Sequence, residues 1–372
     1  VSPSEQSPIL PEYQGANVRG IIPALLGPSQ LYQSLPDWMP EPVAGSDSVV
    51  LLVLDGLGWD QLNERSDHAP TLMSMVGRAI TTVAPTTTAT ALSSITTGLT
   101  PGEHGILGYR MLLSGEVINT LRWCVDNADR RRMFPPADIQ PYPGFMGREV
   151  PVVGPHDLQN SAFTEAHMRG CRSVGWRSAS SIPVEVGALV RSGERFVYAY
   201  YAGIDKVSHE RGLGEYYLSE LRTVDRLVGD ILEALPTGST LLITADHGQV
   251  EVGGNIVYLS ASLLSMVQLQ SGEGRFRWLH ARRGAEHDLL AAAQAECGHQ
   301  AWVVSREQVL EEGWFGPQVS PPLLGRLGDV ALVPFEPVSF HDPDDTGPYE
   351  LISRHGSLTS AEVYVPLLAK RV

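Results

Sequence analysis

The sequence predicts an α/β protein built on an open, mostly parallel sheet flanked by helices, with insertions that form a smaller cap or substrate wall. Three observations carry this. Short, nearly continuous apolar runs recur at 48–54, 195–201, 240–244 and 329–333, the pattern of strands covered on both faces. Helical patterns lie between them, and alternation of such strands with helices is the mark of an open α/β sheet. The first run ends in Asp55, and open sheets gather ligands where loops leave the carboxyl ends of their strands.

Taken in order, residues 1–46 read as a lead-in rich in Pro, Gly and Ser, and residues 47–368 as the main α/β domain. Val50–Leu54 supply the central strand. Pro85 then introduces a threonine-rich stretch running to Gly98, where proline favours a sharp entrance and threonine caps the helix that follows. Weak patterning between about 108 and 193, broken by Phe134-Pro135-Pro136 and Tyr142-Pro143-Gly144, predicts a first insertion. Leu221, Val224, Val228, Ile231 and Leu235 recur at steps of three and four, which gives a helix with one apolar face. A second insertion is expected around 250–328, with an Ala-rich helix at 285–296. No internal repeat of fixed period runs through the chain.

Composition narrows the function classes. A formal net charge of -15 argues against a general nucleic-acid surface, while a small phosphorylated organic substrate stays compatible because a bound metal ion reverses the field locally. Cys124, Cys171 and Cys297 are few and widely spaced, so neither a disulfide framework nor a short-spaced zinc motif is expected. The expected location is the cytoplasm, with a processed secreted form as the alternative. No apolar run approaches the length of a membrane span. Gly212-Leu213-Gly214 has no strand immediately before it, which excludes a dinucleotide-binding loop.

The residues that can carry chemistry sit at the strand ends. Thr244-Ala245-Asp246-His247-Gly248 runs from an apolar strand straight into a carboxylate and an imidazole. Asp55 ends the first run, and a carboxylate leaving a buried strand is costly unless it meets solvent, a hydrogen-bond network or a cation. Asp205 and His209 follow the 195–201 run four residues apart, which one helical turn brings onto one face. Arg354-His355-Gly356 adds a third histidine before glycine. Three aspartates and three histidines exceed the needs of a single tetrahedral zinc. They suit a dinuclear site, in which paired cations about 4 Å apart clamp a phosphoryl group. The threonine-rich helix entrance supplies hydroxyls beside amides that favour a phosphate oxygen, although composition alone selects no single threonine there.

Those blocks, with Leu54-Asp55-Gly56, the Pro85–Gly98 stretch, Pro101-Gly102-Glu103-His104-Gly105, Gly203–His209, Asp246-His247-Gly248 and Arg354-His355-Gly356 in this order, resemble the alkaline phosphatase superfamily, and within it the type I phosphodiesterase/nucleotide pyrophosphatase family. The resemblance implies an alkaline-phosphatase-like fold and a catalytic domain over 47–368. It implies Thr88 as nucleophile, one divalent ion held by Asp205, His209 and His355, and a second held by Asp55, Asp246 and His247 with Thr88. Zinc is the ion it implies. The expected activity is metal-dependent hydrolysis of phosphodiester or pyrophosphate bonds through a phosphothreonine. A phosphomonoesterase or phosphonate hydrolase is one alternative, and a non-catalytic metal-containing binding protein is the other. The amide of Ala89 and the arginines Arg110 and Arg122 are candidate donors to a phosphate oxygen. His104 is expected to be structural, and His341-Asp342-Pro343-Asp344-Asp345 a solvated acidic loop rather than a calcium site.

Overall fold

A computed structural model describes residues 7–27, 35–345 and 351–372. Its centre is a seven-stranded sheet. The strands are β1 (Ser48–Leu54), β2 (Val76–Thr81), β3 (Pro151–Pro155), β4 (Arg172–Trp176), β5 (Phe196–Tyr201), β6 (Ser239–Thr244) and β7 (Tyr364–Arg371). Across the sheet they run β2-β7-β6-β1-β5-β3-β4. From β6 to β4 every neighbouring pair is parallel, while β7 runs antiparallel between β6 and β2. Every residue of β1 is buried. Because successive side chains point to opposite faces, both faces of the sheet must be covered, which is why this strand reads as an unbroken apolar run.

Five longer helices are α1 (Thr88–Thr97), α2 (Ile182–Arg191), α3 (Gly203–Arg211), α4 (Glu215–Ala234) and α5 (Glu286–Cys297). The apolar stripe predicted from Leu221 onward is the buried face of α4, which packs on α2 and α3. Leu235 lies just past the helix end and is also buried. Parts of the lead-in belong to the core: Val18, Ile21, Ile22 and Leu25 are fully covered, and Asn17 donates to the carbonyl of Thr82 at 2.7 Å.

The structure redistributes two expected stretches. The run at 329–333 forms strand Val330–Pro334, but it pairs antiparallel with Phe276–Ala281 and Ala301–Ser305 in a separate four-stranded sheet completed by Val267–Glu273. An apolar run reports burial, not the sheet that provides it. Within 108–193, strands Arg110–Leu113, Glu116–Asn119, Cys124–Val125 and Ala128–Asp129 make a small antiparallel sheet. β3 and β4 fall in the same stretch, yet they extend the main sheet. Prolines at both ends of β3 and partial exposure along β4 hide them from an apolar-run reading.

Candidate active site

Three adjacent parallel strands, β6, β1 and β5, deliver one aspartate each just beyond their carboxyl ends. Parallel neighbours lie about 4.8 Å apart, so residues leaving the same edge converge by construction. Asp55 follows β1 directly, Asp246 comes two residues after β6, and Asp205 sits in the first turn of α3 after β5. Gly56 makes the approach feasible. It holds φ +77°, and a Cβ there would lie 3.0 Å from the Asp205 Cα, so only glycine fits.

The histidines arrive by different routes. His209 is one turn beyond Asp205 on α3, with its Nε2 3.2 Å from Asp205 Oδ1. His247 follows Asp246. A short antiparallel pair, Val250–Glu251 with Ser353–Arg354, brings His355 across the top of the same sheet edge, where its ring stacks on His247 at a centroid distance of 3.6 Å. Each of the three imidazoles uses Nδ1 on a backbone carbonyl. His209 faces Ser353 at 2.7 Å, His247 faces Gly248 at 3.0 Å, and His355 faces Thr86 at 2.8 Å. An Nδ1–H held in this way leaves Nε2 as a lone pair aimed at the cluster, the arrangement that metal-ligating histidines adopt.

The residues fit cations on independent grounds. His209 Nε2 and His355 Nε2 are 3.2 Å apart, which sets two lone pairs against each other unless a positive charge lies between. Asp55 Oδ1 and Asp246 Oδ2 are buried with no hydrogen-bond partner, a costly condition for a carboxylate. Burial, followed by the neighbouring Asp246 and Asp205 carboxylates, pushes the Asp55 carboxyl well above the usual range, and burial raises Asp246 as well. For Asp205 burial acts in the same direction, but His209 and His355 outweigh it and hold this carboxyl below its ordinary value. Two sets of ligand atoms lie within 4.8 Å of one another: Asp205, His209 and His355, and Asp55, Asp205 and His247. Asp205 thus belongs to both. Asp246 stands beside the second set, with Oδ2 3.5 Å from His247 Nε2.

Thr88 is the first residue of α1, next to this cluster, with its hydroxyl 3.1 Å from His247 Nε2. The first intrahelical bond runs from the Ala91 amide to the Thr87 carbonyl at 2.9 Å, so the amides of Thr88, Ala89 and Thr90 have no acceptor within the helix. They present a positive helix end to an anion. The loop before α1 is tied to the His355 loop through Thr86, whose hydroxyl accepts from the Gly356 amide at 2.9 Å. A cavity of about 480 Å³ opens from Asp55, Thr88, Asp205, His209 and His355 toward the small sheet and the helix Ala162–His167.

Several residues around the cluster are invisible to sequence patterning. Tyr200 donates its phenol to Asp55 Oδ2, and Gln249 donates to Asp205 Oδ1 at 2.6 Å. Glu273 reaches in from the second sheet to 3.7 Å from His355 Nδ1. Burial keeps its carboxyl well above the usual range. Its one sequence signal is a carboxylate set between two glycines, Gly272 and Gly274.

Other expectations resolve as follows. Arg122 lines the cavity, whereas Arg110 is committed to a buried ion pair with Asp342. The 341–345 stretch is therefore not a solvated acidic loop: Asp342 and Asp345 both pair with the buried Arg277, at 3.2 and 3.3 Å. His104 is fully covered. Its Nε2 meets Ser94 at 2.9 Å, and burial lowers its pKa to about 3, a structural histidine held neutral. Cys124, Cys171 and Cys297 are free thiols. Among the described residues no helix is long and apolar enough to cross a membrane.

Comparison with known proteins places these features in context. A family model described as type I phosphodiesterase/nucleotide pyrophosphatase matches residues 49–152 and 161–358. A 2,3-bisphosphoglycerate-independent phosphoglycerate mutase from Cyanothece sp. is 43% identical over 76 residues, which is 20% of this chain and 14% of that protein. The chain thus aligns with only a small part of that relative's length. Among solved structures, murine ectonucleotide pyrophosphatase/phosphodiesterase 5 is similar at a TM-score of 0.64 and 16% identity, over 87% of either chain. Phosphonoacetate hydrolase from Sinorhizobium meliloti, in complex with phosphonoacetate, is similar at a TM-score of 0.65 and 18% identity, over 88% of this chain and 91% of that one. At these identities the structural likenesses establish a shared fold.

Proposed function

Because this chain belongs to the type I phosphodiesterase/nucleotide pyrophosphatase family, a class of metal-dependent phosphohydrolases, we propose that it cleaves phosphodiester or pyrophosphate bonds of nucleotide or related organic substrates through a phosphothreonine at Thr88. The observation that carries the reading is the position of the Thr88 hydroxyl, 3.1 Å from His247 Nε2, at a helix start bordered by two sets of candidate ligands.

Asp205, His209 and His355 would hold one cation, and Asp55, Asp246 and His247, with Thr88, would hold the other. Mixed nitrogen and oxygen ligands suit zinc. Bound there, paired divalent ions lower the proton affinity of a hydroxyl and offset charge on phosphoryl oxygens. The chain's own residues do the rest. The Thr88 oxygen gives up its proton and attacks phosphorus in line with the leaving oxygen. The new Oγ–P bond forms as the bond to the leaving group breaks, and the departing oxygen takes up a proton. The free amides at the start of α1 receive the phosphoryl oxygens. Water then attacks the phosphothreonine from the side the leaving group vacated, which releases phosphate monoester and restores Thr88. The unpaired cysteines are compatible with a reducing compartment, which supports the proposed cytoplasmic location.

Replacing Thr88 with Ala tests the assignment. The variant is expected to keep its fold and metal content while turnover of a bis-aryl phosphate diester falls by about a thousandfold or more, since a nucleophile acts as a unit with its surroundings. Near-normal hydrolysis by Thr88→Ala removes Thr88 from the role. A clear preference of the unmodified protein for the aryl monoester over the diester overturns the choice of bond.

A further inference from the structure

The cavity that contains the reactive cluster has two chemically different parts. Its polar end carries Asp55, Asp205, His209 and His355. Leu92, Leu121, Val152, Phe163 and Met168 line much of the remainder. These apolar side chains come from separate places: α1, the turn after Glu116–Asn119, β3, and the helix Ala162–His167 with the residue after it. Their convergence on one open space leaves apolar surface to be covered by whatever enters. At about 480 Å³ the space falls within the range of cavities that enclose a whole organic ligand, so a phosphoryl group alone leaves most of it empty. Four of these five side chains, Leu92, Leu121, Val152 and Met168, are aliphatic, and the ring of Phe163 has one face covered by His167, with centroids 4.1 Å apart. Arg122 and Lys206, which also border the cavity, are exposed to solvent.

Position along α1 decides which part of a substrate meets this wall. Leu92 is one helical turn beyond Thr88 and shares its face, so the apolar surface begins beside the attacking oxygen. A leaving group departs on the far side of phosphorus from that oxygen. The group along the wall is the substituent that stays on phosphorus.

We infer that the retained ester group of the substrate is an uncharged apolar alcohol, of alkyl or alicyclic type, held along Leu92, Leu121, Val152, Phe163 and Met168; this rests on Thr88 being the nucleophile. The preferred substrate class is a phosphodiester with an apolar retained arm, ahead of small phosphonates and of nucleoside esters with a polar base.

The test uses the metal-loaded full chain with p-nitrophenyl methyl, butyl and hexyl phosphates and p-nitrophenyl thymidine 5′-phosphate. The specificity constant kcat/KM is expected to rise about fourfold per added methylene until the wall is covered, the value of burying one methylene, and the hexyl ester is expected to exceed the thymidine ester. Leu121→Glu and Met168→Glu place a charge on the wall, and each is expected to bring the hexyl-to-methyl ratio close to one. A flat alkyl series, a thymidine ester preferred over hexyl, or a ratio unchanged in both variants overturns the inference. Binding of methylphosphonic and hexylphosphonic acids to Thr88→Ala by calorimetry separates the two readings. Tighter hexyl binding with no ester turnover in the unmodified protein keeps the wall and removes the nucleophile. Ester turnover with equal binding of the two acids keeps the nucleophile and removes the wall.

Discussion

Removing a single oxygen atom that is not itself a proposed ligand is expected to weaken one metal site and spare the other. In Tyr200→Phe the phenol that donates to Asp55 Oδ2 is lost, while the ring stays in a buried strand position where phenylalanine fits. That hydrogen bond fixes which Asp55 oxygen faces inward: with Oδ2 occupied, Oδ1 is the buried oxygen without a partner. Without the phenol the carboxylate is free to rotate, and Oδ2 is left buried and unpaired. Loss of an outer partner of this kind typically costs about 10–100-fold in metal affinity, or about 1.4–2.7 kcal/mol. The independent range for a hydrogen bond to a charged group, about 1.5–3 kcal/mol, agrees. The effect should be confined to the ion held by Asp55, because Tyr200 makes no hydrogen bond to Asp205, His209 or His355. Competition with a graded series of chelators, read as metal content per chain, resolves the two sites. Two affinities within twofold of the unmodified protein refute the role of Tyr200, and an equal loss at both sites refutes the idea that the sites are separable.

Metal stoichiometry gives a second check: Asp246→Ala and His209→Ala should each leave one ion per chain, emptying different positions, and unchanged stoichiometry in both counts against the paired-ion site. Buried neutral histidines link stability to pH. His104 has its pKa lowered to about 3 from an unfolded value near 6.5, so the unfolded chain binds the extra proton between these values and stability falls on acidification through that window. The stability gap between the unmodified protein and His104→Gln is therefore expected to narrow by about 2 kcal/mol between pH 7.5 and pH 5, measured by denaturant titration at each pH; a gap independent of pH removes the linkage. Glu362 and Arg275 form a fully buried two-point ion pair, with contacts of 2.7 and 2.8 Å. Glu362→Ala should destabilise by about 3–5 kcal/mol because the guanidinium is left uncompensated, and a change under 1 kcal/mol in denaturant titration contradicts that.

What the sequence revealed depended on whether a feature was local. β1, β5 and β6 are continuous apolar runs covered on both faces, and an aspartate follows each within four residues, so these parts of the cluster were legible without any resemblance. His355 was not. Its place beside His247 depends on a two-residue strand pair spanning 250–251 and 353–354, too short to leave a periodic trace. The choice of Thr88 among Thr86, Thr87, Thr88 and Thr90 likewise needed the family pattern, because one N-terminal helix turn makes all of them plausible caps. Tyr200, Gln249 and Glu273 act across long sequence separations through one hydrogen bond or one contact each, and nothing in their own neighbourhoods distinguishes Tyr200 from Tyr198 or Tyr201. The strand at 330–334 was correctly buried but assigned to the wrong sheet. Composition reports how dry a segment is and stays silent about which neighbours keep it so.

The antiparallel strand β7 has a consequence for how the molecule comes into being. It lies between β2 and β6, although β2 ends at Thr81 and β7 begins only at Tyr364. Until β7 is in place, β2 has no neighbour in the sheet and β6 keeps one flank bare. Contacts of such long range are slow to form, and unpaired strand flanks readily recruit other chains. A chain lacking residues 364–371 would hold every candidate ligand discussed above and still expose two adhesive edges, so possession of the reactive cluster does not by itself complete the sheet beneath it.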